Sequence, residues 1–328
     1  MAQSVTMLAL CLHINAFLAN FASKTIIEHI LMSASLDLSG LGVALVTPFR
    51  SDKTIDYDAL GKLIDFQLAG HVDYFVVLGT TAETPTLSPA ERAEVARFVA
   101  KRVDGRVPLV IGCGGNSTQG VIDELTGADL TGYSAILSVV PFYNKPTQAG
   151  IYAHFAAIAA ASPLPIVLYN IPGRTGVNML PETTLRLAAE FPSIIAIKEA
   201  SGNIAQIGTI LRQKPESFQV ISGDDSLAYP LIMLGAAGVI SVVGNAYPAE
   251  FSALVHHALE GHSAQALEIH RRMVPMINLM FADGNPAGVK ATLSAMGLID
   301  NELRLPLVPV SPAIEASIRE MTAKLAAE

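Results

Sequence analysis

The chain has 328 residues, 51% hydrophobic and 15% charged, with a formal net charge of −8. That balance supports a large core and excludes a nucleic-acid binder, which needs a basic stripe that no Lys/Arg cluster here supplies. Two cysteines, Cys11 and Cys113, cannot build a disulfide framework or a thiolate zinc site, so a reducing, cytoplasmic setting is expected.

In chain order, the first stretch is anomalous: Val5 to Ser23 carry no Asp, Glu, Lys or Arg. Met1-Ala2-Gln3-Ser4 has no positive charge, and His13, Asn15 and Asn20 interrupt the apolar run, which argues against a signal peptide or a membrane span. Met32 precedes the first strand signal at Gly40. The expectation is a start assigned too far upstream, with a targeting segment as the alternative.

From Gly40 one rhythm repeats. Runs rich in Val, Ile and Leu stand at Gly42–Thr47, Tyr74–Leu78, Pro108–Gly112, Ala135–Val139, Pro165–Asn170, Ile194–Lys198, Phe218–Ser222 and Gly238–Val242. Helical patterns lie between them at Tyr57–Ala69, Pro89–Val103, Gln148–Ala160, Pro181–Glu190 and Ser226–Leu234. Ser88-Pro89-Ala90-Glu91 starts a helix well, since Ser caps, Pro suits the first turn and Glu91 reaches back to the cap amide.

Near-continuous apolar strands alternating with helices predict a parallel sheet buried on both faces, and eight units close into a (β/α)8 TIM barrel. An open doubly wound sheet is the alternative, but no Gly-x-Gly-x-x-Gly turn follows the first strand. Helical stretches near Ala249–Glu260, Ser263–Met280, Pro286–Met296 and Pro312–Ala327 exceed what the barrel needs. The expected organisation is a non-core extension over 1–35, a catalytic barrel over 36–260 and a C-terminal helical appendage over 261–328.

Barrel active sites are built at the C-terminal ends of the strands. Lys198 ends the run Ile194-Ile195-Ala196-Ile197-Lys198-Glu199. A buried lysine loses its charge more easily, and its neutral amine attacks a carbonyl to form a Schiff base. The alternative is a lysine that snorkels outward or pairs with Glu199. One strand away, Tyr169 suits general acid/base work. Thr80 and Tyr143 offer hydroxyls to pass the proton on, the Thr80-Thr81 turn offers donors to a carboxylate, and Arg174 offers a planar fork to a second one. No histidine marks a strand end, which disfavours a metal-dependent aldolase.

Gly79-Thr80-Thr81-Ala82-Glu83, Tyr169-Asn170-Ile171-Pro172-Gly173-Arg174-Thr175-Gly176 and Lys198-Glu199 closely resemble the dihydrodipicolinate synthase/N-acetylneuraminate lyase family of class I pyruvate aldolases. The likeness runs from about Gly40 to about Met296. Ser222-Gly223-Asp224-Asp225 and Gly238-Val239-Ile240-Ser241 add two further family-like stretches. The resemblance implies that Lys198 forms the pyruvate imine and that Tyr169 donates the proton. Thr80 and Tyr143 would complete the relay, with Tyr143 contributed across a subunit interface. Thr81, Arg174, Ile240 and Gly223 would bind substrate.

The acceptor implied is aspartate semialdehyde, whose carboxylate Arg174 would hold, in lysine and diaminopimelate formation. A sugar-acid aldolase or dehydratase, or a dead barrel kept as a scaffold, is the alternative. Neither metal nor other cofactor is implied. The expected partners are the two small substrates and further copies in a homotetramer, a dimer of dimers, without nucleic acid or membrane. Ala82 departs from the usual glycine, which makes a left-handed backbone less comfortable there. Lysine-regulated relatives carry histidines where Pro89 and Arg92 stand, an acidic residue at Gly120 and a tyrosine at Phe142. Asn116 is retained, and weak or absent lysine inhibition is expected.

Overall fold

The computed structural model describes residues 36–327, and the expectations for 1–35 lie outside the described residues. Eight strands stand among the described residues: β1 (Gly40–Ala44), β2 (Tyr74–Val77), β3 (Leu109–Gly112), β4 (Ala135–Val139), β5 (Ile166–Asn170), β6 (Ile194–Glu199), β7 (Gln219–Ser222) and β8 (Gly238–Ser241). Each pairs in parallel with the next, and β8 returns to β1 with Ile240 opposite Gly42, closing the barrel in sequence order. The open sheet is thereby excluded. The apolar runs follow from this closure, because helices cover the outer face while side chains fill the inner one.

The seam depends on glycine. At Gly238, φ is 155° and an added Cβ would stand 2.0 Å from the Gly40 carbonyl oxygen, so the last and first strands meet only because that side chain is absent. β1 starts earlier than its apolar run and releases Leu45, Val46 and Thr47 into the following loop.

Helices fill the intervals. Tyr57–Ala69, Pro89–Val103 and Pro181–Glu190 keep the expected bounds. Ser88 and Glu91 form the reciprocal cap, with the Glu91 amide donating to Ser88 Oγ at 3.2 Å and the Ser88 amide to Glu91 Oε2 at 2.8 Å. The stretch expected as one helix from Ser226 is divided into a 3-10 turn, Asp225–Leu227, and a short helix, Ala228–Met233. Asp224 caps the turn by accepting from the Ser226 amide at 2.8 Å.

Beyond β8, helix Ser263–Ala282 packs along Pro248–Leu259. Helices Ala287–Ala295 and Pro312–Ala327 close a smaller core around Ala291, Leu303, Val310 and Ile318. No helix of the described residues is long and apolar enough to cross a membrane.

Candidate active site

Lys198 stands within β6 with its side chain 5% exposed. In the sheet it lies opposite Tyr169 of β5, and its Nζ is 4.6 Å from the Tyr169 ring centroid. Gly223, just past β7, gives it space: a Cβ there would stand 3.0 Å from Lys198 Cε and 3.1 Å from Cγ. Burial pulls the ammonium down from an ordinary lysine's 10.5 to about 8; buried Asp225 opposes that shift and Arg174 adds to it.

Both bland alternatives for Lys198 fail. The side chain does not snorkel to solvent, and Glu199 is committed elsewhere. Glu199 accepts from Asn170 Nδ2 at 3.1 Å, from the Ser201 amide at 2.8 Å and from Gln206 Nε2 at 3.3 Å. Successive strand residues face opposite ways, so the lysine enters the barrel while the glutamate lies against helix Ile204–Gln213.

A cavity of about 580 Å3 is lined by Tyr169, the strand neighbour of Lys198, together with Thr80, Arg174 and Asn285. Burial raises the pKa of the Tyr169 phenol, opposed by a hydrogen bond with the Thr80 hydroxyl and by the Arg174 charge. A phenol held protonated next to an amine pushed toward neutrality is the pairing that carbinolamine formation needs. Arg174 lies in the helical turn Pro172–Thr175, and its Nη2 donates to the Asn285 carbonyl oxygen at 3.4 Å.

Thr80–Ala82 form a 3-10 turn just past β2. The left-handed residue of this segment is Glu83, with φ 55°, and Ala82 is not among the residues of positive φ. The methyl of Ala82 therefore meets no backbone strain. Thr81 is 2% exposed and accepts from Asn285 Nδ2 at 3.0 Å.

Ile240 is buried in β8. Its neighbour Ser241 donates from Oγ to Asp225, which also accepts from the Val242 amide at 3.0 Å and the Val243 amide at 3.3 Å. These donors partly offset the burial that raises Asp225 to about 6. Tyr143 is the expected residue that the fold does not bring in. It is 86% exposed with φ 72°, and the cavity is lined by Phe142 instead.

Three residues escaped sequence reasoning. Asp225 was visible at a strand end, but nothing local marked it as facing Lys198. Lys290 sits inside the apolar helix Ala287–Ala295 and forms a fully buried ion pair with Glu83. A lone lysine among Val289, Ala291 and Leu293 was its available signal, since lysine is almost never fully buried unpaired. Asn285 had no such signal, because its partners lie far back in the chain.

A sequence profile of the Dihydrodipicolinate synthetase family matches residues 37–325. The chain belongs to this family. It is 56% identical over 292 residues to the 4-hydroxy-tetrahydrodipicolinate synthase of Parabacteroides distasonis, a match covering 89% of this chain and 98% of that one. With the 4-hydroxy-tetrahydrodipicolinate synthase of Phocaeicola vulgatus it shares 58% identity over 272 residues, covering 83% and 92% of the two chains. Among solved structures, the dihydrodipicolinate synthase of Thermotoga maritima superposes with a TM-score of 0.86 at 39% identity, covering 88% of this chain and 98% of that one. The dihydrodipicolinate synthase of Aquifex aeolicus gives a TM-score of 0.85 at 42% identity, with coverages of 88% and 98%. The dihydrodipicolinate synthetase family thus spans the barrel and the helices after it.

Proposed function

We propose that this protein is a 4-hydroxy-tetrahydrodipicolinate synthase, a class I aldolase-type lyase that joins pyruvate, held as an imine on Lys198, to aspartate semialdehyde. The observation that carries the reading is the buried Lys198 amine, lowered to about 8 by burial and lying 4.6 Å from the ring of Tyr169, which lines a cavity together with Arg174. Names of relatives at 56% and 58% identity support the same substrates.

In this reading Lys198 Nζ attacks the pyruvate ketone, and Tyr169, bonded to Thr80, hands a proton to the departing hydroxyl so that water leaves. Thr81 holds the pyruvate carboxylate and Ile240 lies by the imine. Loss of a methyl proton turns the imine into a carbon nucleophile, which attacks the aldehyde carbon of the second substrate. Arg174 holds that substrate's carboxylate with its planar fork. Gly223 serves by leaving space for the Lys198 stem.

The exposure of Tyr143 supports its delivery to a second copy, completing the relay there, and we assign a homotetramer built as a dimer of dimers. The division into an extension over 1–35, a barrel over 36–260 and an appendage over 261–328, and a cytoplasmic location, belong to the same proposal. The test is borohydride reduction with pyruvate, followed by peptide mapping and a product assay with aspartate semialdehyde or a neutral sugar aldehyde. A reduced pyruvyl group on Lys198 and turnover with the semialdehyde alone are expected. Label on another lysine, or equal turnover of the sugar aldehyde, overturns the assignment.

A further inference from the structure

We propose that Asn285 is a positioning residue for this reaction, aiming the Thr81 hydroxyl at the pyruvate carboxylate while its peptide carbonyl holds Arg174 for the second carboxylate. The inference rests on the reading of the site above. Asn285 lies in the turn between helices Ser263–Ala282 and Ala287–Ala295, is 8% exposed and lines the cavity.

A threonine hydroxyl carries one proton and two lone pairs. Because Thr81 Oγ1 accepts from Asn285 Nδ2 at 3.0 Å, its own proton remains available, and no acceptor takes it among the described residues. That proton is what a substrate carboxylate requires. Asn285 Oδ1, by contrast, is buried with no hydrogen-bond partner among the described residues. The side chain thus enters the site as a donor and not as an acceptor. Turned over, the amide would accept the Thr81 proton and consume the donor meant for substrate. The main chain of the same residue accepts from Arg174 Nη2 at 3.4 Å, so one residue from the C-terminal segment reaches both carboxylate positions.

A double-mutant cycle separates this role from packing alone. Imine trapping with borohydride and steady-state kinetics are measured for the unmutated protein, Thr81→Val, Asn285→Ala and the double variant, with thermal midpoints recorded alongside. Asn285→Ala should raise the pyruvate KM about tenfold with a smaller change in kcat, the scale of one lost hydrogen bond to a charged group. In the Thr81→Val background the same change should add less than about threefold, because the two residues act as one unit. Asn285→Asp, nearly isosteric but acceptor-only, should take the Thr81 proton, set a negative charge beside both carboxylates and raise both KM values more than alanine does. Independent, multiplicative effects in the cycle, or an unchanged pyruvate KM in Asn285→Asp, overturn the proposal. Trapping needs pyruvate only, so it reports on Asn285 even if aspartate semialdehyde is not the acceptor. Absence of trapping in the unmutated protein overturns both readings.

Discussion

At Lys198, desolvation outweighs the carboxylate that would keep the amine charged. Asp225 supplies the opposing charge, and burial of the amine is the larger of the two effects. Lowering the amine from 10.5 to about 8 leaves about 300-fold more of it neutral at pH 7, roughly a tenth of the total. The attacking form is the deprotonated one, so the sign is fixed: trapping should accelerate as pH rises toward about 8 and level off above it. A stopped-time borohydride assay across pH 6 to 10 measures this. A plateau already complete by pH 6, or a rise delayed to about 10, contradicts the burial argument.

At the scale of elements, the turn after β2 is held by the C-terminal segment. Glu83 takes the Lys290 ammonium in a fully buried pair and also accepts from the Arg304 amide at 3.0 Å. Arg304 in turn binds Glu91 and the carbonyls of Lys53 and Thr86, with its guanidinium 4.5 Å from the Phe49 ring centroid. Glu91 is pulled down to about 2, first by Arg304, so this contribution is present above an ordinary glutamate pKa and fades as pH falls toward 2. Lys290→Met should destabilise the fold by about 3–5 kcal/mol, because it removes the ion-pair partner of a buried Glu83. Adding Glu83→Gln should recover much of that loss. Urea unfolding midpoints of the single and double variants check both statements, and a single variant within about 0.5 kcal/mol of the parent refutes them.

Across the whole molecule, the cavity extends from Thr80 and Tyr169 toward Arg92 and Glu124, which pair with each other at 3.0 Å. Free lysine binding there would need a carboxylate for its ammonium, and the two carboxylates of the lining are already engaged, Glu83 with Lys290 and Glu124 with Arg92, while Gly120 offers no side chain. Desolvating an ammonium without a partner is unfavourable. Lysine should therefore bind at least about tenfold more weakly than in regulated relatives, a difference of about 1.4 kcal/mol. Titrating lysine into the steady-state assay reads this directly, and strong inhibition at sub-millimolar lysine refutes it. Phe142, Leu305 and Val308 are exposed apolar residues on the same body, the kind of surface that subunit contacts cover.

The barrel could be read from the chain because its signals are local. A strand buried on both faces has to be apolar along its length, and the break into a polar loop marks the strand end where chemistry collects. Lys198, Tyr169, Thr80, Thr81 and Arg174 all declare themselves in that way. What the sequence left open was which distant groups meet them. Asn285 and Thr81 are 204 positions apart, and Lys290 and Glu83 are 207. No periodicity or spacing relates such pairs. Burial of Lys198 was likewise an expectation until the packing around Gly223 and Tyr169 closed over it. Local pattern determines the elements and the residue types at their ends; long-range packing decides which charges lose their water, and that desolvation sets the reactivity of the amine.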